Sequence, residues 1–233
     1  MNKERALLPD AASGTRVALA LWISMLGSRL LSRCLFGAAA VSALGFALVS
    51  LAVARGKTAR FDRRAKRRVH VLRIDSSYPK ALRTVAIGTT PLGKWWAYLP
   101  PSLAAARRLQ LQGRKAAALT VAGTAVSAAL LPLLLHRLMK RRPPPPERHE
   151  PSKASYPSGH ALQTSAVAVA TSYVLLREGA APRWSVAPLG LASLAAGAGR
   201  LLLDRHWTSD VAGGYLAGVS LGATCAGIYE LRR

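Results

Sequence analysis

Acidic residues are scarce in this chain of 233 residues, because 10 Asp and Glu stand against 33 Lys and Arg and give a formal net charge of +23. Cysteine is scarcer still: Cys34 and Cys225 lie far apart, each within an apolar stretch. We expect both to be small core residues and to form neither a disulfide nor a metal site. The sequence has no zinc-type Cys/His cluster, no P-loop and no G-x-G-x-x-G motif. No metal or nucleotide cofactor is therefore expected.

Hydrophobic residues nevertheless make up 51% of the chain. The basic residues are confined to short segments between long apolar runs that carry no charge. This segregation is typical of a polytopic membrane protein, whereas a soluble nucleic-acid-binding protein does not normally separate its charges in this way. We expect a lipid bilayer as the partner, anionic lipid as the substrate and no nucleic acid. The oligomeric state does not follow from the sequence.

Six apolar stretches predict an all-α membrane helical bundle with about six transmembrane helices. The predicted spans are Cys34–Ala54, Ala86–Ala106, Ala116–Leu135, His160–Leu176, Trp184–Leu203 and Val211–Tyr229. Residues 1–33 are interrupted by charge and are expected to form an interfacial lead-in segment, so that residues 34–233 form one six-helix domain.

The second predicted span contains several glycines and prolines, and Lys94 is the one charge inside it. We expect a kinked helix here, with Lys94 reaching the membrane interface beside Trp95, Trp96 and Tyr98. A functional role for Lys94 is the less favoured alternative.

The segment Tyr156-Pro157-Ser158-Gly159-His160 lies where a basic, proline-rich loop meets an apolar stretch. The first N–H groups of a helix have no partner within the helix, and the helix dipole adds partial positive charge there. Such a helix start favours an anion, in particular a phosphate. His160 can supply or accept a proton near neutral pH.

A second constellation lies between the fifth and sixth predicted spans. His206 and Asp210 are four residues apart, so in a helical turn their side chains share a face. A carboxylate in that position can accept a hydrogen bond from one imidazole nitrogen, fix the tautomer and leave the other nitrogen as a nucleophile or base. Arg200 precedes them, and its planar guanidinium can hold phosphate oxygens in a bidentate manner.

Together, P-S-G-H and R-x5-H-x3-D resemble the signature of the type 2 phosphatidic acid phosphatase and vanadium haloperoxidase superfamily. In that superfamily K-x6-R-P comes first, followed by P-S-G-H and S-R-x5-H-x3-D. The second and third motifs match at Pro157 to His160 and at Arg200, His206 and Asp210, with Gly199 in place of the serine.

The first motif departs from the pattern of the superfamily. Arg142-Pro143 matches its end, but Leu135 occupies the lysine position, and a shift of one residue places His136 there and Pro143 at the arginine position. The loop also carries further basic residues, at Arg137, Lys140, Arg141 and Arg148. Arg142 is our first candidate for the missing phosphate-binding charge and Lys140 the second, with a solvated basic surface as the alternative for each.

The resemblance implies a mechanism that needs no metal. His206 attacks phosphorus and forms a phosphohistidine while Asp210 orients it, and His160 protonates the leaving oxygen and then activates water. Arg200, Ser158 and the N–H of Gly159 bind the phosphate oxygens. The alternative for the same residues is a buried His–Asp pair at a helix end with Ser158 as an ordinary capping residue.

The expected function is that of an integral membrane lipid-phosphate phosphatase acting on a phosphomonoester or diphosphate of a polyprenyl or glycerophospholipid. Two alternatives are a weakened protein that only binds anionic lipid and a vanadate-dependent haloperoxidase, the latter disfavoured by the six apolar spans. The resemblance implies an inner-membrane location with the active site on the extracytoplasmic side. The positive-inside rule favours the reverse, because the loops on the site's side carry more Lys and Arg.

Overall fold

The fold is described from a computed structural model covering residues 11–74, 80–139, 141 and 154–233, with side-chain surroundings from residue 26 onward except at 70–74, 81 and 82. Every regular element in these ranges is helical, which confirms the all-α prediction. The α-helices are α1 (Ala11–Ala54), α2 (Ala59–Ile74), α3 (Lys80–Gly88), α4 (Trp95–Leu111), α5 (Lys115–Leu138), α6 (Gly159–Arg177), α7 (Ala187–Leu202) and α8 (Thr208–Arg232). Two short 3-10 turns, Thr90–Gly93 and Arg183–Val186, precede α4 and α7.

Four helical segments within the described ranges are long and apolar enough to cross a bilayer: Leu26–Ala54, Lys115–Leu138, Arg183–Leu202 and Thr208–Arg232. They correspond to the first, third, fifth and sixth predicted spans, and they support a membrane helical bundle. The fourth predicted span coincides with α6, and the second runs from the end of α3 into α4. The total of six membrane helices stays a prediction.

The second predicted span is broken rather than kinked. Gly88 ends α3, the 3-10 turn Thr90–Gly93 follows with Pro91 in its first turn, and α4 begins only afterwards. Proline lacks an N–H group and cannot continue the hydrogen-bond ladder of the preceding helix. The hydroxyl groups of Thr89 and Thr90 donate instead to the carbonyl of Ala86, at 3.0 and 3.2 Å. These bonds satisfy a carbonyl that the helix break would otherwise leave free.

The outer face of α1 consists largely of exposed apolar side chains. Only 6% of the most apolar window of Leu26–Ala54 is buried within the protein. The helix also continues through Arg33 without a break, so residues 11–33 of the lead-in segment and the first predicted span form one helix. Cys34 and Cys225 are free, but Cys34 is exposed on α1, so its predicted core position was wrong. In a membrane helix an apolar residue can face lipid instead of a core.

Helices α6 and α8 approach each other closely along a stripe of glycines on α8. A Cβ atom added at Gly214 would lie 2.5 Å from the Ser158 carbonyl oxygen, and one at Gly222 would lie 2.7 Å from the Ala166 carbonyl oxygen. Between them, a Cβ at Gly218 would overlap Ser165. Small residues at this spacing let two helix backbones pack directly. The contact brings the N-terminus of α6 next to the N-terminus of α8, where the two motifs lie.

Candidate active site

The N-terminus of α6 is held between α1 and α8. The Tyr156 hydroxyl is 2.8 Å from the Ser50 hydroxyl on α1, and its ring stacks on Phe46 with the centroids 6.1 Å apart. The Ser158 N–H donates to the Asp210 carbonyl at 2.9 Å. The P-S-G-H segment and the His-x3-Asp segment are therefore joined directly through their backbones.

Ser158 occupies the capping position of α6 but does not cap the helix. Its backbone is extended, and its side chain makes no capping hydrogen bond. The hydroxyl is buried and has no hydrogen-bond partner among the described residues. Because buried polar groups are normally paired, this hydroxyl points to a ligand rather than to ordinary capping. The geometry does not support the alternative in which Ser158 is only a cap.

His206 lies outside the helix, just before α8. Its Nδ1 donates to the Ser155 carbonyl at 2.9 Å, because a carbonyl oxygen can only accept. Asp210 Oδ2 is 3.7 Å from the same nitrogen, too far for a good hydrogen bond, and accepts instead from the Trp207 N–H at 2.8 Å. The expected direct bond between His206 and Asp210 is thus replaced by one to Ser155. With the proton on Nδ1, the Nε2 lone pair of His206 remains available.

His160, in the first turn of α6, contacts the 3-10 turn. Its Nε2 lies 3.2 Å from the Thr90 carbonyl oxygen, so this nitrogen carries the proton in the neutral ring. Gly93 packs against the imidazole face, and a Cβ atom there would overlap the ring. The helix break in the second predicted span therefore fixes the orientation of His160.

Replacing Gly93 with alanine should displace His160 and lower phosphatase activity. The clash involves several ring atoms rather than the tip of a flexible side chain, so the imidazole must move or rotate. We expect a loss of about 100-fold in kcat, the size associated with misplacing a catalytic group by about 1 Å. Initial rates and thermal unfolding in detergent would measure it. Gly88→Ala is the matched control, because a Cβ at Gly88 meets nothing within 4 Å. Equal rates for the two variants would contradict the assignment.

A single cavity of about 290 Å³ connects the predicted residues. It is lined by four of them, Gly159, His160, Arg200 and His206. Further polar side chains on its wall are Lys94, His136, Gln163 and Arg205. The wall carries several cationic groups, so the cavity favours an anion.

Arg200 lies in the last turn of α7 with its Nε buried and without a partner among the described residues. Gly199, the residue before Arg200, replaces the serine of the superfamily, and its close contacts explain the replacement. A Cβ atom at Gly199 would lie 2.6 Å from the Thr89 hydroxyl oxygen and 3.1 Å from the Ala86 carbonyl oxygen. Only glycine fits where α7 passes the end of α3.

Burial lowers the pKa of His206 below its ordinary value, and the nearby negative charge of Asp210 and the hydrogen bond to the Ser155 carbonyl only partly oppose this effect. The imidazole is therefore neutral at pH 7, the state in which Nε2 can act as a nucleophile.

Three residues near the site were not among the predicted site residues, although the sequence had offered a functional role for Lys94 as an alternative and Arg141 as one of the loop's basic residues. Lys94 lines the cavity and lies close enough to His160 to interact electrostatically, instead of serving only as an interfacial anchor. Arg141 bonds Asp210, and Asp62 bonds Arg141. The sequence did contain a signal for Asp62, because it is the one acidic residue within the most basic helix, α2. The candidates Lys140 and Arg142 lie outside the described residues, and His136 bonds the Pro157 carbonyl at 2.8 Å.

Within the described ranges, no group of three or more His, Cys, Asp or Glu side chains is arranged to hold a metal ion. A helical bundle with membrane-length helices and a cationic cavity lined by two of its predicted histidines defines the class: a membrane protein with a site suited to an anion.

The sequence profile of the PAP2 superfamily matches residues 38–233. The chain belongs to the PAP2 superfamily and is a phosphatase of the PAP2 type, which confirms the resemblance drawn from its motifs.

The fold is similar to that of a transmembrane PAP2-type phosphatidylglycerolphosphate phosphatase from Bacillus subtilis, known from a crystal structure. The TM-score is 0.70 and the identity 22%, and the likeness covers 84% of this chain and 97% of the other. Among curated proteins, no sequence matches this chain significantly.

Proposed function

We propose that this protein is an integral membrane phosphatase that hydrolyses a phosphomonoester or diphosphate of a polyprenyl or glycerophospholipid through a phosphohistidine. The observation that carries the proposal is the shared cavity, in which His160, His206 and Arg200 meet and in which the Ser155 carbonyl leaves Nε2 of His206 free. The protein of similar fold from Bacillus subtilis is a phosphatidylglycerolphosphate phosphatase, and this supports the same class of substrate.

His206 is the proposed nucleophile. Its Nε2 forms a bond to phosphorus as the bond from phosphorus to the leaving lipid oxygen breaks, and His160 gives that oxygen a proton. In the second half, water attacks phosphorus, His160 accepts a proton from the water, and the N–P bond breaks to release phosphate. Asp210, at ion-pair distance from Nδ1, stabilises the positive charge that the imidazole gains in the first half.

The phosphate oxygens are assigned to Arg200, Ser158 and the N–H of Gly159. Arg200 Nε and Ser158 Oγ are buried and unpaired among the described residues, and the N–H of Gly159 lies at the start of α6. Donors fixed before the substrate arrives stabilise charge in the transition state without reorganisation. Arg142 and Lys140 remain the proposed additional cations from the preceding loop.

The lipid chain is assigned to an apolar cavity of about 390 Å³ between α4, α6 and α7. Thr164 lines this cavity one turn after His160, and Leu92 lines it within the 3-10 turn, so the cavity begins beside the catalytic histidine. Leu189 and Val167 extend its apolar wall. A substrate placed in this way keeps its phosphate at the headgroup level and its tail among the helices.

Phosphate release from purified protein in detergent tests the function. The substrates would be phosphatidic acid, phosphatidylglycerol phosphate and undecaprenyl diphosphate, each measured with and without EDTA. We expect turnover of at least one substrate at a rate that EDTA does not change, because no step uses a metal. Absence of release from all three would contradict the proposal, and loss of activity with EDTA would contradict the metal-independent mechanism.

We infer that the protein resides in the inner membrane with its site on the extracytoplasmic side, as is usual in the superfamily. A single cysteine introduced at Ser152, with Cys34 and Cys225 replaced, tests the orientation through an impermeant thiol reagent. Labelling of intact cells is expected. Labelling only after permeabilisation would reverse the orientation, in agreement with the loop charges.

A further inference from the structure

Asp62 is an anomaly within helix α2. The helix carries Arg60, Arg63, Arg64, Lys66, Arg67 and Arg68, and Asp62 is its only acidic residue. The carboxylate is 1% exposed, although the helix as a whole is polar. A buried charge is costly unless it is paired and hydrogen-bonded, so its partners explain its position.

The Asp62 carboxylate contacts the first turn of α8. One oxygen accepts the Ser209 N–H at 3.0 Å, and the other accepts the Ser209 hydroxyl at 2.8 Å and Arg141 Nη2 at 2.7 Å. Ser209 is adjacent to Asp210. The carboxylate thus binds the N-terminus of α8, where negative charge is favoured by the helix dipole.

Arg141 links the two carboxylates. Its Nη1 donates to Asp210 Oδ1 at 2.5 Å and to the Ser209 hydroxyl at 2.7 Å, while Nη2 donates to Asp62. Its guanidinium also lies over the Trp207 ring, 5.7 Å from the centroid. Both terminal nitrogens of Arg141 donate to protein side chains. Arg141 therefore stabilises the arrangement of the site and does not bind the substrate. Two carboxylates and one guanidinium leave this cluster with one net negative charge.

Asp62 and His206 also line the same small cavity between α2 and the start of α8. Burial alone would raise the pKa of the Asp62 carboxyl, but the hydrogen bonds from Arg141 and Ser209 outweigh it and hold that pKa below its ordinary value. The carboxylate therefore stays ionised throughout the pH range in which His206 can act. Its negative charge is available to an imidazole that becomes positive during the reaction.

We propose that Asp62 is a positioning residue of the phosphatase site: through Arg141 and Ser209 it fixes Asp210, and its charge stabilises the positively charged form of His206. The assignment rests on the proposed function, because it presumes that His206 is the nucleophile. Asp62, which positions His206 and Asp210, therefore comes from α2, and this helix lies outside the two sequence motifs.

Asp62→Asn is the informative substitution, because it removes the charge while preserving size and an oxygen that can accept from Ser209. Arg141 would then neutralise Asp210 alone, and the cluster would lose its net negative charge. We expect kcat to fall about 10- to 100-fold, as for other residues that orient a functional side chain through hydrogen bonds without touching the substrate. KM should change less than about twofold, because Asp62 contacts no part of the proposed phosphate site.

The pH dependence of kcat/KM distinguishes a positioning role for Asp62 from a purely structural role, because loss of a structural contact alone would leave it unchanged. The acid limb of kcat/KM reports protonation of the nucleophile in the free enzyme. Removing a nearby negative charge disfavours the protonated imidazole, so this limb should move to lower pH in Asp62→Asn. The charged and titratable groups around His206 that stay unchanged are Lys66, Lys94, His136, Arg141, His160, Arg200, Asp204, Arg205 and Asp210.

Glu230→Gln is the matched control. Glu230 is a fully buried carboxylate at the opposite end of α8, bound by Arg177 Nε at 2.6 Å and by the Tyr173 hydroxyl at 2.9 Å. Its substitution removes a comparable buried ion pair far from the site. We expect lower thermal stability in both variants, but a lower kcat and a displaced acid limb only in Asp62→Asn.

The outcomes separate the two proposals. If the wild-type enzyme is active and Asp62→Asn has the kcat and pH profile of Glu230→Gln, the positioning role is wrong and the proposed function stands. If the wild-type enzyme releases no phosphate, the proposed function fails and the positioning role fails with it. Should Asp62→Asn not fold, Ser209→Ala removes one hydroxyl bond to Asp62 and should shift the acid limb in the same direction by a smaller amount. An unchanged limb there overturns the proposal.

Discussion

Replacing His206 with glutamine should lower kcat for lipid-phosphate hydrolysis by about 10⁴-fold or more, the scale seen when an enzymatic nucleophile is removed. Glutamine can still donate to the Ser155 carbonyl, so the loop before α8 should keep its conformation. What disappears is the Nε2 lone pair that forms the bond to phosphorus. Initial rates in detergent micelles would measure the loss.

Rapid quenching with radiolabelled substrate adds a chemical readout to this experiment. Wild-type protein should carry a phosphoryl label that is stable in base and released in acid, as expected for an N–P bond, and His206→Gln should carry none. His160→Gln is the comparison, because it removes the proton donor but keeps the nucleophile, so its label should still form, more slowly. A labelled His206→Gln protein would place the covalent bond elsewhere.

Arg200→Ala should lower kcat/KM by about 10³-fold, within the range found for arginines that stabilise a transferring phosphoryl group. The side chain is largely buried, its Nε has no partner among the described residues, and it lines the cavity shared by both histidines. Lysine at this position should recover little, because a point charge does not reproduce the bidentate geometry of guanidinium. Steady-state kinetics with a water-soluble phosphomonoester, compared with the lipid substrate, would show that the loss concerns the phosphate.

Arg183→Ala is the control for Arg200→Ala, because Arg183 is exposed and lies at the other end of the same membrane-length segment. It removes an equal charge without approaching the cavity, so its rate should match that of the wild type. A similar loss in both variants would mean that the effect comes from overall charge, not from phosphate binding.

The sequence was sufficient for the features that depend on local pattern. Long apolar runs, interrupted by a charge only at Arg200 in the fifth, predicted the first, third, fifth and sixth spans, because burial in hydrocarbon requires them. The spacing of His160, Arg200 and His206 within two motifs predicted three residues that the fold brings to one cavity. The spans needed only hydropathy and length, whereas grouping the three residues into one site also needed the resemblance of the two motifs to the superfamily.

Features that depend on distant contacts were not accessible in this way. Asp62 and Arg141 are 79 residues apart, and only the fold shows that they meet at Asp210. The bond from His206 to Ser155 joins backbone to side chain across 51 residues, and a carbonyl carries no sequence signal of its own. Cys34 was misplaced because an apolar residue in a membrane protein has two favourable environments, and the sequence does not distinguish lipid from core.

Helix α8 holds buried carboxylates at its two ends, Asp210 and Glu230, each paired with an arginine from another element. At a rise of 1.5 Å per residue they stand about 30 Å apart along the helix axis, which equals the thickness of a typical hydrocarbon core. The separation of the two ion pairs along α8 therefore matches one particular thickness of the bilayer. In a membrane several ångströms thicker, one of the two ion pairs must enter hydrocarbon or the bilayer must thin around the protein. Acyl-chain length should consequently tune how readily the phosphate site reaches the headgroup level.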